Sequence, residues 1–466
     1  MSNHDLLILG SGSTAFAAAI RAAELGFSAV MTERRTLGGT CVHRGCLPSK
    51  NLIAAAELWH AAGSELFPGL PITRGTLDFP ALIRQKDDVV AAMLRKKYES
   101  VLGERIDVVY GDASLIDPHT IRVDGRELTG RHVLIATGAR PSIPPIDGIE
   151  SVPYLTSDLL TVGEGLELVS LPESIVIVGG GYNACELGQM FARFGAKVTI
   201  LERSQRLLND GEPELSYALR DVLEREGVNV STETTAVAVR QRGERVIVTT
   251  SPGDEVEAER LLIATGRTPN SDNLGLADAG VALDERGFVL VDEQLRTNVS
   301  GIWAAGDVRG GQMATPVGAH DGVIAAQNAL ASSGRATDYR VVPRAVFTDP
   351  PVGSVGMTEQ VANAQGISCR CVTIPMEVVP RAAAIHRTDG VLKMVAERAS
   401  GRVVGVHMIG DAAHEVIHEA AMAMRFRATI DDFVDQVHVY PTMAEALKIG
   451  ALAFSKDVSK LSCCAE

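Results

Sequence analysis

Two cysteines, Cys41 and Cys46, stand five residues apart in Gly38-Gly39-Thr40-Cys41-Val42-His43-Arg44-Gly45-Cys46-Leu47-Pro48-Ser49-Lys50. The stretch is rich in glycine, and the residues after it read as the start of a helix. A helix N-terminus lowers the pKa of a thiol there and raises its thiolate fraction, which makes the pair a candidate redox centre. The competing reading is a structural disulfide, which a reducing cytosol disfavours. A second pair, Cys463 and Cys464, closes the chain in Leu461-Ser462-Cys463-Cys464-Ala465-Glu466. Thiolates are soft ligands, so two of them can hold a soft metal cation and pass it on by ligand exchange. Of the seven cysteines, Cys185 falls on an expected helix and reads as core. Cys369 and Cys371 are two apart on an expected strand and so share one face. They read as structural rather than as a metal site.

The elements that must position these residues are legible from spacing. Asp5 to Leu9 forms an apolar strand, followed by Gly10-Ser11-Gly12-Ser13-Thr14-Ala15 and a helix of small residues to about Leu25. Val30 to Glu33 ends a second strand. This strand–turn–helix–strand unit is the dinucleotide-binding pattern. It recurs at Ile175 to Val178, Gly179-Gly180-Gly181-Tyr182-Asn183-Ala184, a helix to about Phe194, and a strand ending at Glu202. One such glycine turn is weak, but two in the same context imply two nucleotide domains with electron transfer between them. Each unit is followed by a near-identical phrase, Leu134 to Pro141 (LIATGARP) and Leu262 to Pro269 (LIATGRTP). Thr297 to Asp307 (TNVSGIWAAGD) reads as a buried strand ending in Gly306-Asp307, a place where a carboxylate suits a ribityl or ribose hydroxyl. From about Val341 strands are expected at Arg344 to Phe347, Gly390 to Val395 and Val403 to Ile409, then helices, giving a third domain suited to an interface.

Bulk properties narrow the classes of function. At 466 residues the chain exceeds one hydrophobic core, so two or three domains are expected. A net charge of -14 repels nucleic acid and anionic membranes, so neither is an expected partner. The early apolar stretch from Leu6 to Ile20 is shorter than the roughly 20 residues that cross a bilayer, and it carries a nucleotide loop rather than a signal-peptide cleavage site. No membrane insertion is expected, and the expected location is cytoplasmic.

On the Cys41 to Lys50 loop, the paired nucleotide units, the ATG phrases and the Thr297 to Asp307 stretch, the chain resembles the FAD-dependent class I pyridine nucleotide-disulfide oxidoreductases over essentially its whole length. The resemblance implies an α/β fold with two Rossmann-like domains, for FAD and NAD(P), and a C-terminal α+β dimerisation domain. It implies FAD-binding segments at 1–155 and 273–340, an inserted NAD(P)-binding domain at 156–272, and a dimerisation domain with the Cys-Cys tail at 341–466. Carried over, Gly10, Gly12 and Ala15 approach the FAD pyrophosphate and Glu33 binds the adenosine ribose. Thr40 and Lys50 lie along the isoalloxazine, with Lys50 paired to Glu186, and Asp307 holds the ribityl chain. Gly39, Ala113, Thr137, Gly138, Gly306 and Thr315 complete the expected flavin set. Gly179, Gly181, Ala184, Glu202, Arg203 and Gly266 are expected on the nicotinamide nucleotide side. Cys46 is the expected thiolate against the flavin and Cys41 the exchange thiol. Tyr182 matches the tyrosine that covers the nicotinamide pocket. His43 departs from the family's usual Asn, and no role is assigned to it.

Two features near the C-terminus separate the family's members. Enzymes that reduce dithiols or disulfides carry His-x-His-Pro-Thr with a Glu downstream, where the second His is the acid–base group. This chain reads His438-Val439-Tyr440-Pro441-Thr442-Met443-Ala444-Glu445. A phenol with a pKa of about 10 cannot replace imidazole as a base near neutral pH. His438 sits two residues too early to substitute. The terminal Cys463-Cys464 pair resembles the tail of mercuric reductases, and Val379-Pro380-Arg381-Ala382 resembles another of their segments, whereas Met313 to Gly322 resembles other members. The expectation is NADPH-dependent reduction of Hg(II), delivered as a thiol complex, to Hg(0). Cys41, Cys46, Cys463 and Cys464 are the expected metal ligands in a homodimer, and Tyr440 and Glu445 complete the other subunit's site. Glu202 favours NADH, whereas Arg203, Arg206 and Ala184 favour NADPH, which is the expected reductant. The alternatives are a disulfide reductase of the thioredoxin-reductase or dihydrolipoamide-dehydrogenase kind, and a metal-sequestering flavoprotein without turnover.

Overall fold

The structure is a computed structural model that describes residues 3–64, 66–161, 168–251 and 253–460. The first nucleotide unit forms as its pattern predicts. Strand Asn3–Leu9 leads through Gly10 into helix Ser13–Glu24 and returns as strand Ala29–Glu33, parallel to the first with Leu6 opposite Ala29. Gly10 has φ of +105°, and a Cβ there would lie 2.6 Å from the Ala136 carbonyl oxygen, so only glycine allows this approach. The sheet continues outward through Ile106–Tyr110 on one side and through Arg126–Ile135, Thr120–Val123 and Ala113–Asp117 on the other. Strand Ile302–Ala304, far along the chain, lies parallel to Arg126–Ile135 in the same sheet, with Trp303 opposite Leu134. The chain therefore leaves this sheet, builds another and comes back. Helix Thr315–Ala331 then packs on helix Ser13–Glu24 over a core that includes Phe16, Ala19, Ile324 and Ala325.

The second unit is a parallel sheet in the order Asn229–Ser231, Lys197–Leu201, Ser174–Val178, Arg260–Ile263. Ser174–Val178 is buried at every position, as expected for a parallel strand covered on both faces. Helix Tyr182–Phe194 follows it, with Ala184, Leu187 and Phe191 in the core. A three-stranded antiparallel sheet, Thr235–Arg242, Arg245–Ser251 and Glu255–Ala258, is attached. The residues after the two ATG phrases pair with one another, Ala139–Pro141 against Arg267–Pro269, and so tie the two units together.

The C-terminal domain is a five-stranded antiparallel sheet in the order Arg344–Val346, Val352–Gly356, Val403–Ile409, Val391–Glu397, Cys369–Pro375. It is covered by helices that include Ala413–Arg425 and Glu445–Leu452. The sequence gives no signal for strand Val352–Gly356, because Gly353 and Gly356 depress strand propensity. Gly353 is required there by the backbone of Ala413, which its missing side chain would strike. Among the described residues no helix is long and apolar enough to cross a membrane.

Candidate active site

Cys41 lies in the short helix Gly39–His43, and Cys46 is the first residue of helix Cys46–Ala61, with Gly45 as its N-cap. No acidic residue stands in that helix's first turn, so the helix end presents uncompensated N–H groups to the Cys46 sulfur. Both cysteines are free thiols here, Cys41 half-buried and Cys46 exposed. Cys46 Sγ lies 3.4 Å from Thr315 Oγ1. The hydrogen bond with Cys41, helped by Thr315 and the Lys50 charge, lowers the Cys46 pKa to about 6 against the opposing effect of burial. Cys41 moves up, because it donates to Cys46 and is itself buried. The pair is asymmetric, with Cys46 the thiolate and Cys41 the protonated donor.

Three distant segments meet at Lys50. Its Nζ is 2.6 Å from Glu186 Oε2, on the helix of the second nucleotide unit. The other oxygen of Glu186 accepts from the backbone N–H of Phe347 at 2.9 Å, and the Phe347 ring lies 4.7 Å from Lys50 Nζ. Glu186 is only 3 % exposed. Phe347 reads in the sequence only as the end of an expected strand, with nothing to mark it as a site residue. The same helix face continues at three- and four-residue spacing. Gln189 exchanges hydrogen bonds with the Asp349 backbone, and Arg193 pairs with Asp349 and Glu226. Tyr182 is one turn before Glu186 on that helix and shares its face. Its ring is 44 % exposed, and partial desolvation together with the charges around it raises its hydroxyl pKa.

A cavity of about 440 Å³ runs from the first glycine turn to Cys41. Among its lining residues are Gly10, Gly12, Glu33, Gly39, Thr40, Ala113, Thr137, Gly138, Asp307 and Thr315, all expected from the sequence. Ala15 stands behind it, fully buried in the first helix. Glu33 accepts from Ser11 Oγ and from the Arg35 N–H, leaving its strand-end carboxylate fixed at the cavity's edge. The cavity fits an extended dinucleotide such as FAD. The N-terminus of helix Ser13–Glu24 opens into it through glycines that allow close approach, the arrangement that binds a pyrophosphate. Arg267, another lining residue, has a buried Nε with no hydrogen-bond partner among the described residues and lies 3.9 Å from Asp307. Sequence reasoning missed Arg267. Its signal was its place directly after the second Ala-Thr-Gly, where the first phrase has the small Ala139.

In the second unit Gly179, with φ of +115°, and Gly181 lead into the helix N-terminus, and Ala184 is fully buried. Gly266 sits at the end of the second ATG phrase with φ of +116°. Glu202 holds the N–H of Ser204 two residues on, as Glu33 holds that of Arg35. Arg203 is exposed beside it. Arg206 instead turns inward, donating to the carbonyls of Asn209 and Gly211.

The C-terminal candidates are not brought to Cys41 within this chain. Tyr440 is 48 % exposed on the third domain and does not line the cavity. Glu445 opens helix Glu445–Leu452 and accepts from the Thr442 N–H at 2.9 Å. His438 is engaged with Glu419 at 2.9 Å. His43 turns away from Cys41 to the Leu37 carbonyl, 2.7 Å from its Nε2. Cys463 and Cys464 lie outside the described residues.

A cysteine pair poised at a flavin-sized cavity between two nucleotide folds defines a flavin-dependent dithiol oxidoreductase. Residues 4–332 match the pyridine nucleotide-disulphide oxidoreductase family, and residues 342–451 match its dimerisation domain. The chain belongs to this family. It is 44% identical over 474 residues to a mercuric reductase of Streptomyces lividans, covering all of this chain and 99% of the relative. It is 43% identical to a mercuric reductase of Staphylococcus aureus, covering 99% of this chain and 84% of that one. Among solved structures, a Cu(II) complex of the HOCl-induced flavoprotein disulfide reductase RclA from Escherichia coli superposes with a TM-score of 0.87. It has 32% identity, and the match covers 98% of this chain and 100% of that one.

Proposed function

We propose that this chain is an FAD-containing, NADPH-dependent mercury(II) reductase. The observation that carries the reading is the asymmetric Cys41–Cys46 pair in a chain whose acid–base position holds Tyr440, supported by the mercuric reductase relatives. When bound, FAD supplies the two-electron relay between the nicotinamide and the cysteine pair. The chain's own residues do the rest. Tyr182 covers the nicotinamide side, and Lys50, fixed by Glu186 and Phe347, places a positive charge where hydride arrives. Cys46 meets the substrate as a thiolate, while Cys41 gives up its proton as it becomes the second ligand. Hg(II) enters from a dithiol complex, passes from Cys463 and Cys464 to Cys41 and Cys46, takes two electrons and leaves as Hg(0). NADPH yields NADP+ and a proton. Disulfide reduction, in contrast, needs a base for the leaving thiol, and Tyr440 is a poor one.

The proposal includes a homodimer in which Tyr440, Glu445 and the tail act at the partner's site, the domain divisions at 155, 272 and 340, and a cytoplasmic setting that keeps thiols reduced. The test follows NADPH consumption by holoenzyme in excess small thiol, before and after Hg(II), with released Hg(0) trapped. Sustained Hg(II)-dependent consumption with Hg(0) release, lost at low thiol in a Cys463→Ala/Cys464→Ala variant, is expected. Inhibition by Hg(II), with turnover only on a disulfide, would overturn the reading.

A further inference from the structure

The C-terminal sheet ends in a strand that carries chemistry outside the cavity just described. Strand Cys369–Pro375 is an edge strand, paired only with Val391–Glu397, with Cys371 opposite Val395 and Cys369 opposite Glu397. Side chains alternate along a strand, so Cys369 and Cys371 leave on the same face. The residue between them goes the other way: Arg370 stacks its guanidinium on the Phe454 ring, 5.1 Å from the centroid. On their shared face both cysteines pack against Ala362, Val395 and Val404, beneath helix Glu359–Ala364. Cys369 Sγ lies 3.5 Å from Asn363 Oδ1. The Glu359 carboxylate and Cys369 both raise the Cys371 pKa, after the larger effect of burial. Both are half-buried free thiols, reachable from solvent.

We propose that Cys369 and Cys371 form a two-thiolate binding site for a soft cation that prefers linear coordination, such as Hg(II) or Ag(I). Such an ion needs two sulfurs separated by about twice a metal–sulfur bond, roughly 4.6 Å for bonds of about 2.3 Å. Side chains two residues apart on one strand face start from Cα atoms roughly 6.6 Å apart, and rotation about χ1 brings their sulfurs to that spacing. A tetrahedral ion is excluded by the lack of further ligands. No group of three or more His, Cys, Asp or Glu among the described residues could hold a metal, and Glu359 is engaged by Lys393 Nζ at 2.8 Å. Disulfide exchange is disfavoured as well. Burial and the Glu359 charge push the Cys371 thiol up to about 12, so it is a poor nucleophile at neutral pH. A coordinating metal, however, deprotonates a thiol outright. In the exchange, two bonds from the cation to incoming thiolates break and two to Cys369 and Cys371 form. The two protons depart on the released thiols, and no electrons move. The site is independent of the reductase reading, because it needs neither FAD nor turnover.

The experiment loads FAD-holoenzyme with HgCl2 plus a small monothiol, without NADPH, and measures mercury retained per chain after gel filtration. A preorganised pair has an effective concentration in the millimolar range or above, so binding should survive ~0.1 mM monothiol and fail at ~100 mM. Cys369→Ser/Cys371→Ser should retain one equivalent less than the parent, and Cys369→Ser alone should lose the same equivalent. NADPH-dependent turnover should stay unchanged in both. In the unmutated protein, Hg(II) should protect both cysteines from alkylation, as mapped on peptides, which removes any dependence on the variants' folding. Equal retention with unprotected cysteines overturns the proposal. Zn(II) retained through the same pair would overturn its linear, soft-ion character.

Discussion

Replacing Glu186 by Gln tests the anchoring of Lys50 most directly. The change keeps the size of the side chain and an acceptor for the Phe347 N–H, which is 2.9 Å away, and removes only the charge facing Lys50. At 2.6 Å the gross Coulomb attraction is about 6 kcal/mol for an effective dielectric constant of about 20. Desolvation of the buried carboxylate offsets most of this, and a hydrogen bond to a charged group is worth about 1.5–3 kcal/mol net. If that energy holds the ammonium where hydride arrives, its loss slows the reductive half-reaction about ten- to a hundredfold. Lys50 is partly solvated, with 30% of its side chain exposed, so it can rehydrate, and unfolding free energy should fall by only about 1 kcal/mol or less. Anaerobic rapid mixing of the holoenzyme with NADPH gives the rate, and denaturant unfolding gives the stability. A variant reduced at the parent's rate refutes the positioning argument. A stability loss matching the rise in barrier would show instead that the helix itself had been displaced.

Other consequences are equally direct. Because the Cys46 pKa is lowered, its thiolate is present above about pH 6 and is lost as pH falls through that value. The thiolate–flavin absorbance of reduced holoenzyme should titrate there, and Cys41→Ala should move the midpoint upward; a midpoint that ignores Cys41 contradicts the hydrogen-bond account. Arg193→Met leaves the half-buried Glu226 without its close cation, while Asp349 keeps Arg387 at 2.7 Å, and should cost about 1–3 kcal/mol in denaturant unfolding, whereas a loss under about 0.5 kcal/mol would mean that the network does not form in solution. Tyr440→His restores imidazole at the acid–base position, so activity with a small disulfide should rise at least tenfold. No gain would show that the missing base is not what sets the substrate.

The residues that bind nucleotides were legible because their chemistry is local. A strand, a glycine turn and a helix N-terminus fall within about 30 residues, and that spacing alone determines where a pyrophosphate can sit. The redox loop was readable for the same reason, since Cys46 owes its place at a helix N-terminus to the residues beside it. Two features of the third domain needed the structure. Val352–Gly356 became a strand only because its neighbours supply the ladder, and Cys369 and Cys371 gained their setting from the helix packed above them. The Lys50, Glu186 and Phe347 cluster joins residues 136 and 161 positions apart, and no periodicity in the chain announces it. Sequence thus determined the cofactor cradle, the cysteine pair and the missing histidine. The tertiary structure decided that the Phe347 backbone fixes the other oxygen of Glu186, that Arg267 joins the cavity lining, and what packs over Cys369 and Cys371. Local backbone geometry is fixed by residues close in the chain, whereas charge pairing and burial depend on faces that meet only when the domains pack.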